Sequence, residues 1–330
     1  MHSDGVVRRL VRLAAFFVAI VVLSYLFLPS FSGKTVEVTI PRGSSSKQIA
    51  HLLAERGVVA SSYLFLFAVT LMGYDQSLRA GVYEFTNPTI VSVLDSLRTG
   101  KVKHSWVTVA EGLPVWQVGE VLARDKVVDL ADFLNVVEDA AMFRPAFQWF
   151  PETQSVEGYL FPDTYHFELD RDASQIVQQF LMRFESVVVP IYRTSSAQEF
   201  FTLHEVVTLA SIVEKEAVIM EERPIIAAVF RNRLARGMKL GADPTVKYAL
   251  GDFELKLSRS ALASISPYNT YVHYGLPPGP ICSPGADSIR AVLSPASVDY
   301  LFFVARGDGT HEFTKTYADH LRAIKRYQED

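Results

Sequence analysis

Val38-Thr39-Ile40-Pro41-Arg42-Gly43 closes a stretch, Thr35 to Ile40 (TVEVTI), in which apolar and polar side chains alternate. That period places one set of side chains on each face of an extended chain, so the stretch predicts a β-strand. Pro41, Arg42 and Gly43 end it, and Ser44 to Ser46 offer hydroxyls to cap a helix from about Lys47. Ile49, Leu52 and Leu53 give that helix an apolar stripe, and Gly57 closes it. The same pattern returns as Val107-Thr108-Val109-Ala110-Glu111-Gly112. Its register continues through the pairs Ile49 with Val118, Leu53 with Leu122, Ala54 with Ala123 and Val58 with Val127. Two copies of a strand–turn–helix unit predict an α+β chain. A chance match between two generic αβ pieces is the alternative. Between the copies, helices are expected over Tyr63–Met72 and Ile90–Leu97, with a returning strand at Gly81–Phe85 (GVYEF). Thr164 to Phe167 (TYHF) is the corresponding return of the second copy.

Upstream of the first strand, Leu13 to Leu28 reads LAAFFVAIVVLSYLFL and holds no charge. A bilayer asks for about 20 apolar residues. Extension from Leu10 to Phe31 supplies that length if Arg12 snorkels to the interface. Arg8, Arg9 and Arg12 precede the stretch and Lys34 alone follows closely, so the first residues are expected in the cytoplasm and the rest outside. A cleaved signal peptide is the alternative, but Tyr25 to Pro29 is bulky where a small-residue cleavage site would fall.

The whole chain has 330 residues, of which 49% are hydrophobic and 12% aromatic, so global disorder is excluded. Lys and Arg number 32 against 36 Asp and Glu, a formal net charge of −4, which leaves no basic field to hold nucleic acid. A single cysteine, Cys282, excludes an intrachain disulfide framework and a multi-cysteine metal cluster. The eight histidines are scattered, and the phosphate-loop, dinucleotide, HExxH and GxSxG patterns are all missing. No cofactor and no metal are expected.

Leu203 to Ala217 reads as a helix with Val206, Ala210, Val213 and Ala217 on one stripe. Pro224 suits the first turn of a following helix, Ile225 to Leu234. From Gly241 to Pro295 the chain is rich in Gly, Pro, Asn, Ser and Tyr, and Leu276-Pro277-Pro278-Gly279-Pro280 is a rigid loop of the kind that borders a cleft. Ser297 to Ala305, a turn at Gly307 and Gly309, and Glu312-Phe313 predict a short hairpin, and Ala318 to Tyr327 a terminal surface helix.

The densest chemistry lies in Ala210-Ser211-Ile212-Val213-Glu214-Lys215-Glu216-Ala217. Glu214 and Glu216 are two apart and leave a helix about 200° from one another, so they do not form a same-face pair. A carboxyl emerging from such apolar surroundings has a raised pKa and can serve as a general acid. Periodicity alone also allows both to be solvent-facing residues paired with Lys215 or Arg223. Glu157-Gly158-Tyr159-Leu160-Phe161-Pro162-Asp163-Thr164-Tyr165 sets acids among aromatics, which suits a sugar platform or a loop whose rings complete a core. Asp243-Pro244-Thr245 and Tyr268-Asn269-Thr270-Tyr271 add hydrogen-bonding groups, and Ser258 is most simply a helix cap.

Taken in order, EGYLFPDTY (157–165), ASIVEKE (210–216), FRNRL (230–234), DPTVKY (243–248), KLSR (256–259), YNTY (268–271), GLPPGPI (275–281) and SPGADS (283–288) resemble the YceG-like endolytic murein transglycosylases of bacteria. The resemblance implies a single-pass inner-membrane protein facing the periplasm: residues 1–12 cytoplasmic, 13–31 a transmembrane helix, 32–103 a LysM-like subdomain, and 104–330 an α+β catalytic region whose helix bears the glutamate. Residues 104–170 would be a second LysM-like half interleaved with it. It implies cleavage of the MurNAc–GlcNAc β-1,4 bond in nascent glycan strands, 1,6-anhydro-MurNAc ends, control of strand length, and partners in peptidoglycan and the cell-wall synthases. It places the catalytic glutamate in ASIVEKE. Other lytic transglycosylases carry a helix pattern of two apolar residues, two polar residues, Glu and a small residue, which Glu216 followed by Ala217 matches, with Glu214 as the alternate. Glu157, Asp243, Thr245, Tyr268, Asn269 and Tyr271 are the expected substrate-binding residues. A noncatalytic peptidoglycan-binding scaffold and a water-using muramidase are the competing classes.

Overall fold

A computed structural model describes residues 35–327, together with Arg9, Arg12, Leu13, Phe16, Phe17, Ser24, Leu26, Leu28 and Pro29. The chain is α+β, with twelve α-helices and six strands in three two-stranded sheets among the described residues. The transmembrane helix expected over 13–31 lies largely outside the described residues; among those described, no helix is long and apolar enough to cross a membrane. The chain divides into two compact units, Met1–Ser105 with His166–Arg171, and Trp106–Tyr165 with Asp172–Asp330.

In the first unit, β1 (Thr35–Ile40) pairs antiparallel with β2 (Gly81–Thr86), Val38 opposite Tyr83. The alternation seen in the sequence sends Val38 and Ile40 into the core and Glu37 and Thr39 outward. Glu37 stands directly across from Glu84, a repulsive pair. Lys103 Nζ bridges the two at 2.7 and 2.9 Å. Helix α1 (Ser46–Glu55) begins with a capping box in which Ser45 and Gln48 satisfy one another's backbone N–H groups. Helix α2 (Ser62–Met72) stops at Gly73, whose φ of 68° suits glycine best. Helix α3 (Ile90–Thr99) is boxed by Thr89 and Ser92. Ile49, Leu53, Phe65, Val69, Tyr83, Val93 and Leu97 form the core, and Leu26 is buried with them.

The second unit repeats the opening motif. Strand β3 (His104–Val109), whose first residues belong to the first unit, has the burial pattern of β1, with Val107 and Val109 inward. Helix α4 (Val115–Arg124) buries Val118 and Leu122, the counterparts of Ile49 and Leu53. Strand β3 pairs with β4 (Asp163–Glu168). Helices α5 (Leu130–Val137) and α6 (Ala173–Thr194) follow, the latter a 22-residue helix for which the sequence pattern gives no element.

Helix α7 (Leu203–Glu216) is the centre of this unit. Val206, Val207, Leu209, Ala210, Ile212 and Val213 are all buried, so it is enclosed on every side rather than along one stripe. It packs against α8 (Arg223–Ala235), α9 (Asp243–Ala249) and α11 (Ala286–Leu293), with the single turn α10 (Arg259–Leu262) between the last two. Ala217, read as the end of the helical stripe, is extended (φ −80°, ψ 118°) and lies outside the helix. The expected hairpin is present as β5 (Phe302–Ala305) against β6 (His311–Thr314). Helix α12 (Tyr317–Tyr327) buries Ala323 and packs on both strands, so it is more than a surface helix.

Candidate active site

Three consecutive residues at the end of α7 go three ways, because each helical step rotates the chain by about 100°. Glu214 turns into protein: its side chain is 6% exposed, Oε1 accepts from Arg223 Nη2 at 2.8 Å, and Oε2 accepts the backbone N–H of Gly285 at 3.0 Å. Lys215 reaches the carbonyl of Gly112 at 3.4 Å and sets its ammonium 4.1 Å from the centre of the Phe253 ring. Glu216 turns into a cavity of about 330 Å³.

That cavity is built from distant parts of the sequence. The ends of α7 and α8 supply Glu216 and Arg233, the start of α9 supplies Asp243, and the loop before α11 supplies Tyr271. The C-terminal hairpin and α12 close the other wall with Phe303, His311 and His320. Desolvation pushes the Glu216 carboxyl up to about 8, the neighbouring Asp243 carboxylate adds to the rise, and Arg233 and Lys247 oppose it. Glu216 is therefore protonated at neutral pH. Arg233 is locked in place, its Nε donating to the Leu301 carbonyl at 2.6 Å and its Nη1 to the Leu240 carbonyl. The Tyr271 hydroxyl donates to Asp243 Oδ1 at 2.6 Å. Nδ1 of His311 lies 2.6 Å from Glu222 Oε2, and its backbone N–H donates to Oε1 of the same carboxylate at 3.0 Å. Burial and the nearby Arg233 hold the His320 pKa below its ordinary value, which favours neutral imidazole.

Of the residues singled out in the sequence, Glu216, Asp243 and Tyr271 meet in this cavity. Thr245 and Asn269 are fully buried and do not line it. Thr245 Oγ1 donates to the Ala242 carbonyl at 2.7 Å and lies 2.9 Å from Thr270 Oγ1. Asn269 Nδ2 donates to the Leu262 and Ser264 carbonyls, while its Oδ1 accepts the N–H of Tyr271 at 2.9 Å. Both side chains are committed to shaping the loop that presents Tyr271. Arg233, His311 and His320 are cavity residues that the sequence reading did not assign to the site. Arg233 had a signal, since it sits in the FRNRL motif. The two histidines had none, because strand β6, which carries His311, and helix α12, which carries His320, join the site only in three dimensions.

Glu157 and Tyr268 belong to a second cluster and do not line the Glu216 cavity. Glu157 is 4% exposed and accepts from the backbone of Val115 (3.0 Å) and Gly158 (3.2 Å) and from the Tyr248 hydroxyl (3.3 Å). Burial raises its pKa to about 7 in spite of those three donors. The rings of Trp116, Phe253 and Tyr268 surround Tyr248, with centroids 4.8 to 6.4 Å away.

The model of the YceG-like family matches residues 38–326. A Bacillus subtilis protein named endolytic murein transglycosylase is 32% identical over 90% of this chain and 86% of its own length. A Streptococcus pneumoniae protein of the same name is 29% identical over 91% of this chain, which spans 60% of that longer relative. A crystal structure of a YceG-like protein from Listeria monocytogenes superposes with a TM-score of 0.61 at 33% identity, covering 88% of this chain and 99% of that one. With the family model spanning nearly the whole chain, and a relative this similar over most of both lengths, this chain belongs to the YceG-like family.

Proposed function

We propose that the chain is an endolytic murein transglycosylase that cleaves the MurNAc–GlcNAc β-1,4 bond inside peptidoglycan strands and leaves 1,6-anhydro-MurNAc ends. The observation that carries this reading is the carboxyl of Glu216 facing a polar cavity beside Arg233, Asp243 and Tyr271, where burial raises its pKa to about 8. In the first half of the reaction Glu216 gives its proton to the glycosidic oxygen as the C1–O bond breaks and GlcNAc leaves. In the second, the resulting carboxylate takes the proton of the MurNAc C6 hydroxyl as that oxygen bonds to C1. The sugar's own hydroxyl replaces water, so no second catalytic carboxylate is required. Arg233 stabilises the transient carboxylate, and Asp243 favours its reprotonation. Tyr271, aimed by its bond to Asp243, contacts sugar hydroxyls.

In this reading Glu214 is a structural brace, and Thr245 and Asn269 support the site. Tyr268 and the rings of Tyr248, Trp116 and Phe253 form a further glycan-facing platform, in which the buried Glu157 holds the Tyr248 hydroxyl. Residues 13–31 anchor the chain in the inner membrane, with residues 1–12 cytoplasmic and the rest in the periplasm. Residues 32–103 form a LysM-like module, and 104–170 a second, interleaved one, that position the catalytic region over nascent strands beside the cell-wall synthases. Mass spectrometry of the glycan ends left by the purified protein tests the reaction. Anhydro ends are expected; new reducing ends would mean that water attacks, and no new ends would mean a binding scaffold. A reporter active only in the periplasm, fused after Asp330, tests the orientation.

A further inference from the structure

In the first unit, the large apolar side chains left exposed fall in two places only among the described residues. One is the N-terminal apolar stretch, with Leu13, Phe16, Phe17 and Leu28. The other is α2, with Tyr63 (81% exposed), Phe67 (52%), Leu71 (66%) and Met72 (38%). Tyr63, Phe67 and Leu71 are spaced i, i+4, i+8 and so form one stripe along the helix. The opposite side of α2 is packed against the core through Phe65, Ala68 and Val69. None of its eleven residues, SYLFLFAVTLM, is charged. A soluble helix normally turns charged residues outward, and a concentrated apolar patch marks an interaction surface.

The N-terminal stretch indicates what covers that stripe. Leu26, within the stretch, is buried in the core of this same unit. Residues 29–34 separate the stretch from β1, a link that spans at most about 20 Å when fully extended. A unit held that close to its own membrane anchor meets the bilayer surface with whichever face is apolar. We propose that α2 lies in the membrane interface, its Tyr63–Phe67–Leu71 stripe sunk into the headgroup and acyl boundary as a second point of attachment beside the anchor. The helix is too short to span the bilayer but long enough to lie in its plane, and Tyr63 at its first turn suits headgroup depth. Two attachments restrict how the unit tilts over the membrane, which a single span does not. The inference rests on the reading of residues 13–31 as a membrane anchor.

The test uses the full chain in vesicles of phosphatidylethanolamine and phosphatidylglycerol, with spin labels on cysteines placed one at a time at Phe67, Leu71, Phe17 and the exposed His51 of α1. Cys282 is fully buried and stays unlabelled. Accessibility to oxygen, which concentrates in lipid, is compared with accessibility to a water-soluble nickel chelate. Labels at Phe67 and Leu71 are expected to gain oxygen and lose nickel accessibility relative to His51. Labels at Phe67 and Leu71 that match His51 while Phe17 reads as lipid would overturn the docking and leave the anchor standing. Shielding of Phe67 and Leu71 from both reagents would place protein, a second copy included, over α2 and overturn it equally. A Phe17 label that reads as aqueous would remove the anchor itself, and the docking with it. Circular dichroism checks that each variant keeps its fold.

Discussion

Glu214 Oε2 accepts the backbone N–H of Gly285 at 3.0 Å, which ties the end of α7 to the residue that caps α11. A carboxylate at a helix N-terminus is favoured by the unpaired N–H groups and the helix dipole. The other oxygen is held by Arg223, which also touches Glu111 at 3.5 Å. With both oxygens occupied and the side chain nearly enclosed, Glu214 fixes the direction in which the next turn leaves the helix.

Loss of that brace should therefore register as stability. Glu214→Ala leaves the Arg223 guanidinium, 13% exposed, without its main partner. Removing one member of a buried ion pair costs about 3–5 kcal/mol. The midpoint of urea unfolding should fall accordingly. A variant as stable as wild type would mean that the Arg223 and Gly285 contacts contribute nothing.

Gly158 tests how the proline-rich loop is seated. Its φ is +85°, and a Cβ there would lie 2.4 Å from Cβ and 2.5 Å from Cγ of the Pro280 ring. That loop is pinned from two sides, by the Ile281 N–H on Ser211 Oγ at 3.0 Å and by His204 Nε2, 2.9 Å from the Pro278 carbonyl. Gly158→Ala combines left-handed backbone strain with a clash against a rigid ring, and should cost about 2–5 kcal/mol in denaturant unfolding. An unchanged midpoint would show that the loop can move aside.

How much of this was legible in the sequence differs by element. Alternation marked β1, the return GVYEF marked β2, an apolar run with the Gly307 and Gly309 turn marked the C-terminal hairpin, and cap and glycine signals bounded α1, α2 and α3 closely. Helix α6 was missed because Val187-Val188-Val189-Pro190 combines a β-branched run with a proline, both poor helix formers, and tertiary burial of Val188 and Val189 overrides that preference. Helix α7 showed only its most regular stripe; that every side is buried depends on α8, α9 and α11 closing around it. In the site, Glu216, Asp243 and Tyr271 stand in recognisable motifs. Asn269 and Thr245 also stand in motifs, but local pattern cannot distinguish a side chain that touches substrate from one that shapes the loop beside it.

The protonation of Glu216 makes its neighbours separable by pH. Its folded pKa, about 8, lies above the ordinary carboxyl value, so the acid form needed for the first half-reaction is lost as pH rises through that region. Asp243→Asn removes a like charge and should move the alkaline limb of kcat/KM to lower pH. Arg233→Met removes a cation and should move it to higher pH. Equal shifts in one direction for both variants would contradict these electrostatic roles.

The same shift has a stability consequence. Between the unfolded carboxyl pKa of 4.5 and about 8, the folded state holds a proton at Glu216 that the unfolded state has released. Stability must then fall as pH rises across that window and level off above it. Glu216→Gln cannot titrate, so its stability relative to wild type should grow from pH 5 to pH 8, measured by thermal or urea unfolding. A gap independent of pH would place the Glu216 pKa near its ordinary value.

Glu216→Gln and Glu214→Gln, each checked for folding by circular dichroism, should be compared on high-molecular-weight peptidoglycan with anhydro ends counted directly. The general acid's role in Glu216 predicts a loss of about 10²–10⁴-fold in the first variant and much smaller loss in the second. The reverse ranking, with Glu216→Gln active and Glu214→Gln dead, or full activity in both, would contradict it.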